Sequence, residues 1–112
     1  DERTVSFMDI NPATRGHALV VPRRHVTDLL EVPPEDLQAT MLSAQDLAQR
    51  MFDRLGADGV NLLNSCRPAA WQTVFHFHIH VIPRYRDDPL RLPWNPQPGE
   101  PDAIAAVAAE LR

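Results

Sequence analysis

The chain has little with which to cross-link itself, grip a polyanion or enter a bilayer. Its single cysteine, Cys66, cannot close an intrachain disulfide, which fits a reducing cytoplasm. Eleven basic residues stand against fifteen acids for a formal net charge of −4, and no basic block stands out. The many-cation hold on a nucleic-acid backbone is therefore excluded as an expectation. A small anion is not, since a few local dipoles can hold a phosphate. No run of about 18 apolar residues is present to span a membrane, and no signal peptide is visible. What remains is 112 residues, 44% hydrophobic, enough for one ordinary small domain with its own core.

Along the chain, Thr4–Ile10 alternates as a strand ending at the turn Asn11-Pro12, and Gly16–Pro22 reads as a second strand stopped by Pro22 and Arg23-Arg24. A short turn-rich link between them suggests an antiparallel hairpin. From Pro34 the period changes. Leu37, Met41, Ala44, Leu47, Met51 and Leu55 form one apolar helical stripe. Its start is marked by Pro33-Pro34 and the acids Glu35 and Asp36, and Gly56 is its stop. Gly59–Asn64 reads as a third strand, and a loop leads into a long strand predicted from about Gln72 to Ile82. Six of the eleven prolines then fall between Pro83 and Pro101, favouring an extended segment. Ile104, Val107 and Leu111 follow at helical spacing behind Asp102 as the predicted cap. Residues 1–88 are thus expected as the domain, and 89–112 as a proline-rich extension with a short helix.

Three of the five histidines, His76, His78 and His80, occupy alternate positions in FHFHIHVIPR. On a strand these imidazoles share one face, and Phe75, Phe77, Ile79 and Val81 share the other. Same-face neighbours lie roughly 6.6–7 Å apart, whereas zinc holds its nitrogens at about 2.0–2.1 Å. Two adjacent histidines can pinch a metal, but a third ligand would come from elsewhere, with His17 and His25 the only other imidazoles. The alternative is a row with divided labour, one ring acting as nucleophile on phosphorus and its neighbours fixing its tautomer. From spacing alone, metal binding and nucleophilic catalysis stand level.

HFHIHVIPR resembles the His-x-His-x-His motif of the histidine-triad (HIT) nucleotide hydrolases and transferases. FMDINPATRGHALVVPRRH resembles that family's upstream block, and Asn64…Gln72-Thr73-Val74 its approach to the triad. The resemblance covers about Phe7 to Arg84 in family order. It implies an α+β fold, a small antiparallel sheet with the long helix on its other face, and a homodimer whose sheets join. It also implies release of a nucleoside 5′-monophosphate, purine and first of all adenosine, from an amine, phosphate or acyl-phosphate leaving group. Dinucleoside polyphosphate hydrolysis or phosphorolysis is the alternative within enzymes; a metal- or nucleotide-binding module without turnover is the alternative outside them.

Carried over position by position, the resemblance makes His78 the nucleophile, with His80 and His17 on the phosphate and His76 a structural member of the network. Asp9 would accept from the two ribose hydroxyls, which suits an acceptor-only carboxylate. Phe7 and Ile10 would wall the base, and Asn64, Gln72 and Thr73 would surround the phosphate and leaving group. No cofactor is implied for turnover. The family's N-terminal segment finds no counterpart before the first strand. Where family members carry a Cys pair there, His25 and His76 would join it on a structural zinc. Two departures stand out: Trp71 replaces the glycine that lets backbone approach the phosphate, and the stretch from Asn64 to Gln72 is one residue longer. Other readings of these residues are simpler. Asp9 also suits a turn, Phe7 and Ile10 suit ordinary core, and Arg23, Arg24, Arg84 and Arg86 suit a solvated rim.

Overall fold

A computed structural model describes residues 1–112. Four strands, β1 (Thr4–Met8), β2 (Ala18–Pro22), β3 (Gly59–Leu63) and β4 (Ile79–Arg84), form one antiparallel sheet in the order β1-β2-β4-β3. Helix α1 (Pro34–Leu55) crosses one face, and α2 (Pro101–Glu110) ends the chain. No helix is long and apolar enough to cross a membrane.

The period-2 pattern of the central strands decides which face meets α1. Ala18, Val20 and Pro22 on β2 and Ile79, Val81 and Pro83 on β4 are buried, while the residues between them are only half-covered. Phe77 joins the buried set at 1% exposure. Against these, α1 sets Thr40, Ala44 and Met51, with Leu37, Leu47, Ala48 and Leu55 half-buried around them. Met41, expected in that stripe, is largely exposed, and Thr40 faces the sheet in its place. Thr40 can be buried because its hydroxyl donates to the Asp36 carbonyl one turn back.

Helix α1 starts at Pro34 as expected and stops at Gly56, which is left-handed at φ 67° with its N–H donating to the Met51 carbonyl. Asp36 in its first turn is buried between two cations. Arg3 Nη1 lies 3.0 Å from Oδ1. Arg24 Nε lies 3.0 Å from Oδ2, paired by charge but not aligned as a hydrogen bond. The positive end of the helix dipole favours the carboxylate there.

Several expected boundaries move. β1 ends at Met8 rather than Ile10, β2 begins at Ala18 rather than Gly16, and β3 ends at Leu63 rather than Asn64. The predicted strand Gln72–Ile82 is a strand only from Ile79 to Arg84. Pro22 ends β2, so residues 72–78 have no straight neighbour to ladder with, and they bond instead to the loop that follows β2. Phe77 N–H donates to the Val26 carbonyl at 2.7 Å, and the His76 ring bonds the Pro22 carbonyl at 2.8 Å. Phe75, assigned by alternation to the apolar face, is half-exposed for the same reason. At the other end of the chain, the α2 cap is Glu100 rather than Asp102. Its carboxylate accepts from the N–H groups of Asp102 and Ala103.

Residues beyond Asp88 depart from the body of the molecule. Helix α2 packs on no other helix or strand and leaves Ile104, Val107 and Leu111 exposed. The Cα radius of gyration is 16.3 Å, against about 13 Å for a compact chain of this length.

Candidate functional site

The face of the sheet turned away from α1 carries a row that runs across the strands in register: Phe7 on β1, Leu19 on β2, His80 on β4. Continuing the β2–β4 register places Val21 opposite His78. Together with the turn after β1 and the loop before β4, these residues wall a cavity of about 740 Å³, the size of a small-ligand site.

The turn between β1 and β2 supplies Asp9, Asn11 and His17 to the wall of this cavity. Asp9 uses Oδ1 to accept the Asn11 N–H at 2.7 Å, so it is a turn residue as well as a cavity wall. Its other oxygen, Oδ2, lies 3.5 Å from His17 Nε2 and 4.0 Å from His80 Nδ1. His17 is buried and enters β2 directly after Gly16, whose backbone sits at φ 93°. A side chain at Gly16 would meet Leu55 Cδ1 at 2.5 Å, so only glycine lets this turn close against the end of α1.

Hydrogen bonds assign the ring protons. The Ala13 N–H donates to His17 Nδ1 at 2.9 Å, so the His17 proton sits on Nε2. From there it is donated to His80 Nδ1, 2.9 Å away. His80 therefore turns Nε2–H outward as a donor. Burial, followed by the charges of His78 and His17, lowers the His80 pKa below its usual value, with Asp9 opposing. His80 is neutral at pH 7. His78 is oriented the opposite way. Its Nδ1 lies 2.7 Å from the His76 carbonyl oxygen, which can only accept, so Nδ1 carries the proton and Nε2 holds a lone pair. The His78 and His80 rings meet nearly edge to face, centroids 5.0 Å apart.

Asp9, His17 and His80 offer ligand atoms within 4.8 Å of one another, the spacing of a metal site. The Ala13 N–H decides against that use, because a ring protonated on Nε2 cannot ligate through it. His25 and His76 are better disposed toward a metal. Their Nδ1 atoms are 3.4 Å apart, about the edge of a tetrahedron with zinc–nitrogen bonds of about 2.05 Å. The His76 Nε2–H on the Pro22 carbonyl fixes the tautomer that ligation needs. They are two donors of four, and no third His, Cys, Asp or Glu stands within reach. These side chains do not hold an ion by themselves.

The loop between β3 and β4 supplies another part of the wall. Ser65 is buried and lines the cavity, as does Thr73. Two residues other than glycine have positive φ here: Arg67 at φ 78°, ψ 156° and Trp71 at φ 76°, ψ 18°. Such conformations cost about 1–3 kcal/mol each and persist only where surroundings impose them. Gln72 imposes them. It is buried, its Oε1 accepts the Arg67 N–H, and its Nε2 donates to the carbonyls of Thr27 and Val74. Arg67 Nε donates in turn to buried Asp28 at 2.7 Å, whose carboxylate raises the Arg67 pKa. Trp71 emerges from this brace with its indole on the cavity and much of its surface open.

The structure thus brings His76, His78, His80, His17, Asp9, Phe7 and Thr73 to one cavity. Three expected residues are not on its wall. Ile10 is 92% exposed beyond the end of β1, because the strand stops at Met8. Asn64 turns its amide to the His78 backbone carbonyl at 2.9 Å, which ties down the backbone of residue 78. The Gln72 side chain is fully spent on the loop. Six wall residues lay outside the expected set: Asn11, Leu19, Val21, Ser65, Trp71 and Val74. Leu19 and Val21 were legible in the alternation of β2; Ser65, adjacent to the expected Asn64, carried no signal of its own.

The HIT domain family model matches residues 1–87. An uncharacterised HIT-like protein of Mesomycoplasma hyorhinis is 37% identical over 86 residues, 77% of this chain and 78% of that protein. One from Mycobacterium tuberculosis is 41% identical over 86 residues, but that match spans only 60% of its length. Among solved structures, a protein of Streptococcus mutans superposes with a TM-score of 0.91 at 31% identity, covering 99% of this chain and 71% of its own. A zinc-bound histidine triad family protein of Mycobacterium smegmatis gives 0.78 at 39% identity, covering 99% and 81%. Its domain match, its four-stranded sheet and its three alternating histidines on one cavity make this chain a member of the HIT, or histidine-triad, family.

Proposed function

We propose that this protein hydrolyses conjugates of a nucleoside 5′-monophosphate, with adenosine the first base to test, through a nucleotidyl-imidazole on His78. One observation carries the reading: the His76 carbonyl holds the proton of His78 on Nδ1, so the Nε2 lone pair is available to the cavity without prior deprotonation. In the first step this lone pair forms a bond to the α-phosphorus, and the bond from phosphorus to the leaving group breaks. For an amine, the departing nitrogen keeps the bonding pair and takes a proton from solvent water, which the second step returns. The imidazole becomes cationic, and the His76 carbonyl stabilises its Nδ1–H. In the second step a water oxygen attacks phosphorus, the P–Nε2 pair returns to His78, and the water releases a proton. One water is consumed and the enzyme is unchanged.

His80, neutral and presenting Nε2–H, donates to the phosphoryl oxygens as charge develops, and the Thr73 hydroxyl is a second donor. Asp9 retains Oδ2 for the ribose hydroxyls, and Phe7, two residues before it on β1, walls the base. The enzyme acts as a homodimer. The outer edge of β3 is unpaired, and exposed Leu62, Leu63 and α2 offer apolar surface for a second copy. Two further donors at His25 and His76 would complete a structural zinc.

The test is incubation of the protein with adenosine 5′-phosphoramidate, with and without a chelator, and with His78→Ala. AMP release that survives chelation and disappears in His78→Ala is the expected result, with an acid-labile adduct mapping to residue 78. Binding of AMP without turnover would establish a nucleotide-binding module instead. Loss of turnover on chelation would establish metal dependence.

A further inference from the structure

Apart from the histidines, two aromatic residues line the cavity, Phe7 and Trp71. Phe7 belongs to β1, just before Asp9, and Trp71 to the loop before β4, just before Gln72 and Thr73. In the proposed reaction the nucleoside takes Phe7 and Asp9. With the α-phosphorus at His78, Trp71 is the aromatic wall left for the group that departs.

Three observations bear on what that group is. First, Trp71 is held in a left-handed backbone conformation that favours glycine, at φ 76°, by its own N–H on the Pro68 carbonyl and by the buried side chain of Gln72 beside it. The indole is presented on a fixed mount rather than a mobile loop. Second, Trp71 is 67% exposed, with apolar surface left for a ligand to cover. Third, no arginine lines the cavity and the chain has no lysine. A polyphosphate tail would therefore find no guanidinium or ammonium on the cavity wall to neutralise it.

Resting on the proposed transfer to His78, we infer that Trp71 stacks against an uncharged planar aromatic portion of the leaving group. The preferred substrates are then nucleoside 5′-monophosphates joined directly to an amine or alcohol that carries an aromatic ring. Diadenosine polyphosphates, which also bring a second aromatic base, are disfavoured by their additional phosphates.

Three conjugates test this in the full chain: adenosine 5′-phosphoramidate carrying N-(2-phenylethyl), N-(2-cyclohexylethyl), or no substituent. The phenyl and cyclohexyl groups are similar in size and differ in flatness. The native protein is expected to favour the phenylethyl over the cyclohexylethyl conjugate roughly tenfold or more in kcat/KM. Trp71→Phe should keep the preference, and Trp71→Ala should bring the ratio near one. Trp71→Gly should also abolish it while melting no lower than the native protein, since glycine suits the left-handed backbone; this separates a lost stack from a lost fold. Diadenosine tetraphosphate should be cleaved with lower kcat/KM than the phenylethyl conjugate. A native ratio near one, a ratio unchanged in Trp71→Ala and Trp71→Gly, or diadenosine tetraphosphate as the best substrate would overturn the inference. Calorimetric binding of the same conjugates completes the test. If nothing is cleaved but the Trp71-dependent preference persists in Kd, the catalytic reading fails and the stacking stands. If the preference is absent from Kd as well, the stacking fails.

Discussion

β2 and β4 present two faces of one antiparallel pair. Toward α1 they show Val20, Ile79 and Val81, all buried. Toward the cavity they show Leu19, Val21 and His80, half-covered and in register with one another. The spacing of side chains is the same on both faces, and only what packs above them differs. The helix face removes apolar surface from water and so contributes stability. The open face leaves ring nitrogens within reach of a ligand. Alternation with period two lets one strand do both, since neighbours in sequence never share a face.

The largest effect expected from this division is at adjacent positions. Phe77→Ala, under the helix, should cost about 3–5 kcal/mol in urea unfolding. His78→Ala, the next residue, should lower stability far less while abolishing the nucleotide adduct. Equal destabilisation by the two would break the comparison. Gly16→Ala comes next. It forces a left-handed backbone on alanine and drives a methyl group into Leu55, and it should cost about 1–3 kcal/mol. A thermal melt unchanged by that substitution would show that the turn before His17 is looser than its geometry.

Gln72→Leu sharpens the comparison at the loop. Leaving the backbone groups of Arg67, Thr27 and Val74 without their partner costs roughly 1–3 kcal/mol per buried group. Stability should fall, and activity with it. If Gln72 served the phosphate instead, kcat/KM would fall at unchanged melting temperature. The smallest effect is that of pH on His80. Its folded pKa is lowered, so the unfolded chain takes up a proton first as pH falls below about 6.5. The native state then loses stability until pH passes the lowered folded value, below which the loss levels off. His80→Gln removes this contribution. The drop in melting temperature between pH 7.5 and pH 5 should be smaller in that variant than in the native chain.

Much of this could be read from residue order. The stripe from Leu37 to Leu55, the stop at Gly56 and the β1–β2 hairpin follow from local periodicity and turn chemistry, and they stand where expected except that Thr40 replaces Met41 against the sheet and β1 stops at Met8. The alternation of His76, His78 and His80 likewise survives, although only His80 lies in a strand. The loop after β2 holds this stretch in place through the Phe77 N–H on the Val26 carbonyl.

The misjudged residues share a cause. Gln72 and Asn64 are polar residues close to the triad in sequence, and nothing local distinguishes an amide that meets a ligand from one that meets backbone. That choice is made by Thr27, Arg67 and His78, brought near by folding. Ile10 was expected on the wall only because the family resemblance implied it. The strand ended two positions earlier, and the side chain met water.

Residue order by itself determined most of the elements, the alternation of faces along β2 and β4 and the family motif, because these depend on dihedral preferences and spacing along a few residues. Tertiary structure alone decided which nitrogen of each imidazole carries the proton, which amides are spent on the loop, and that Trp71 faces the cavity. Those outcomes rest on single donors and acceptors from distant segments meeting within about 3 Å, a distance that no local pattern encodes.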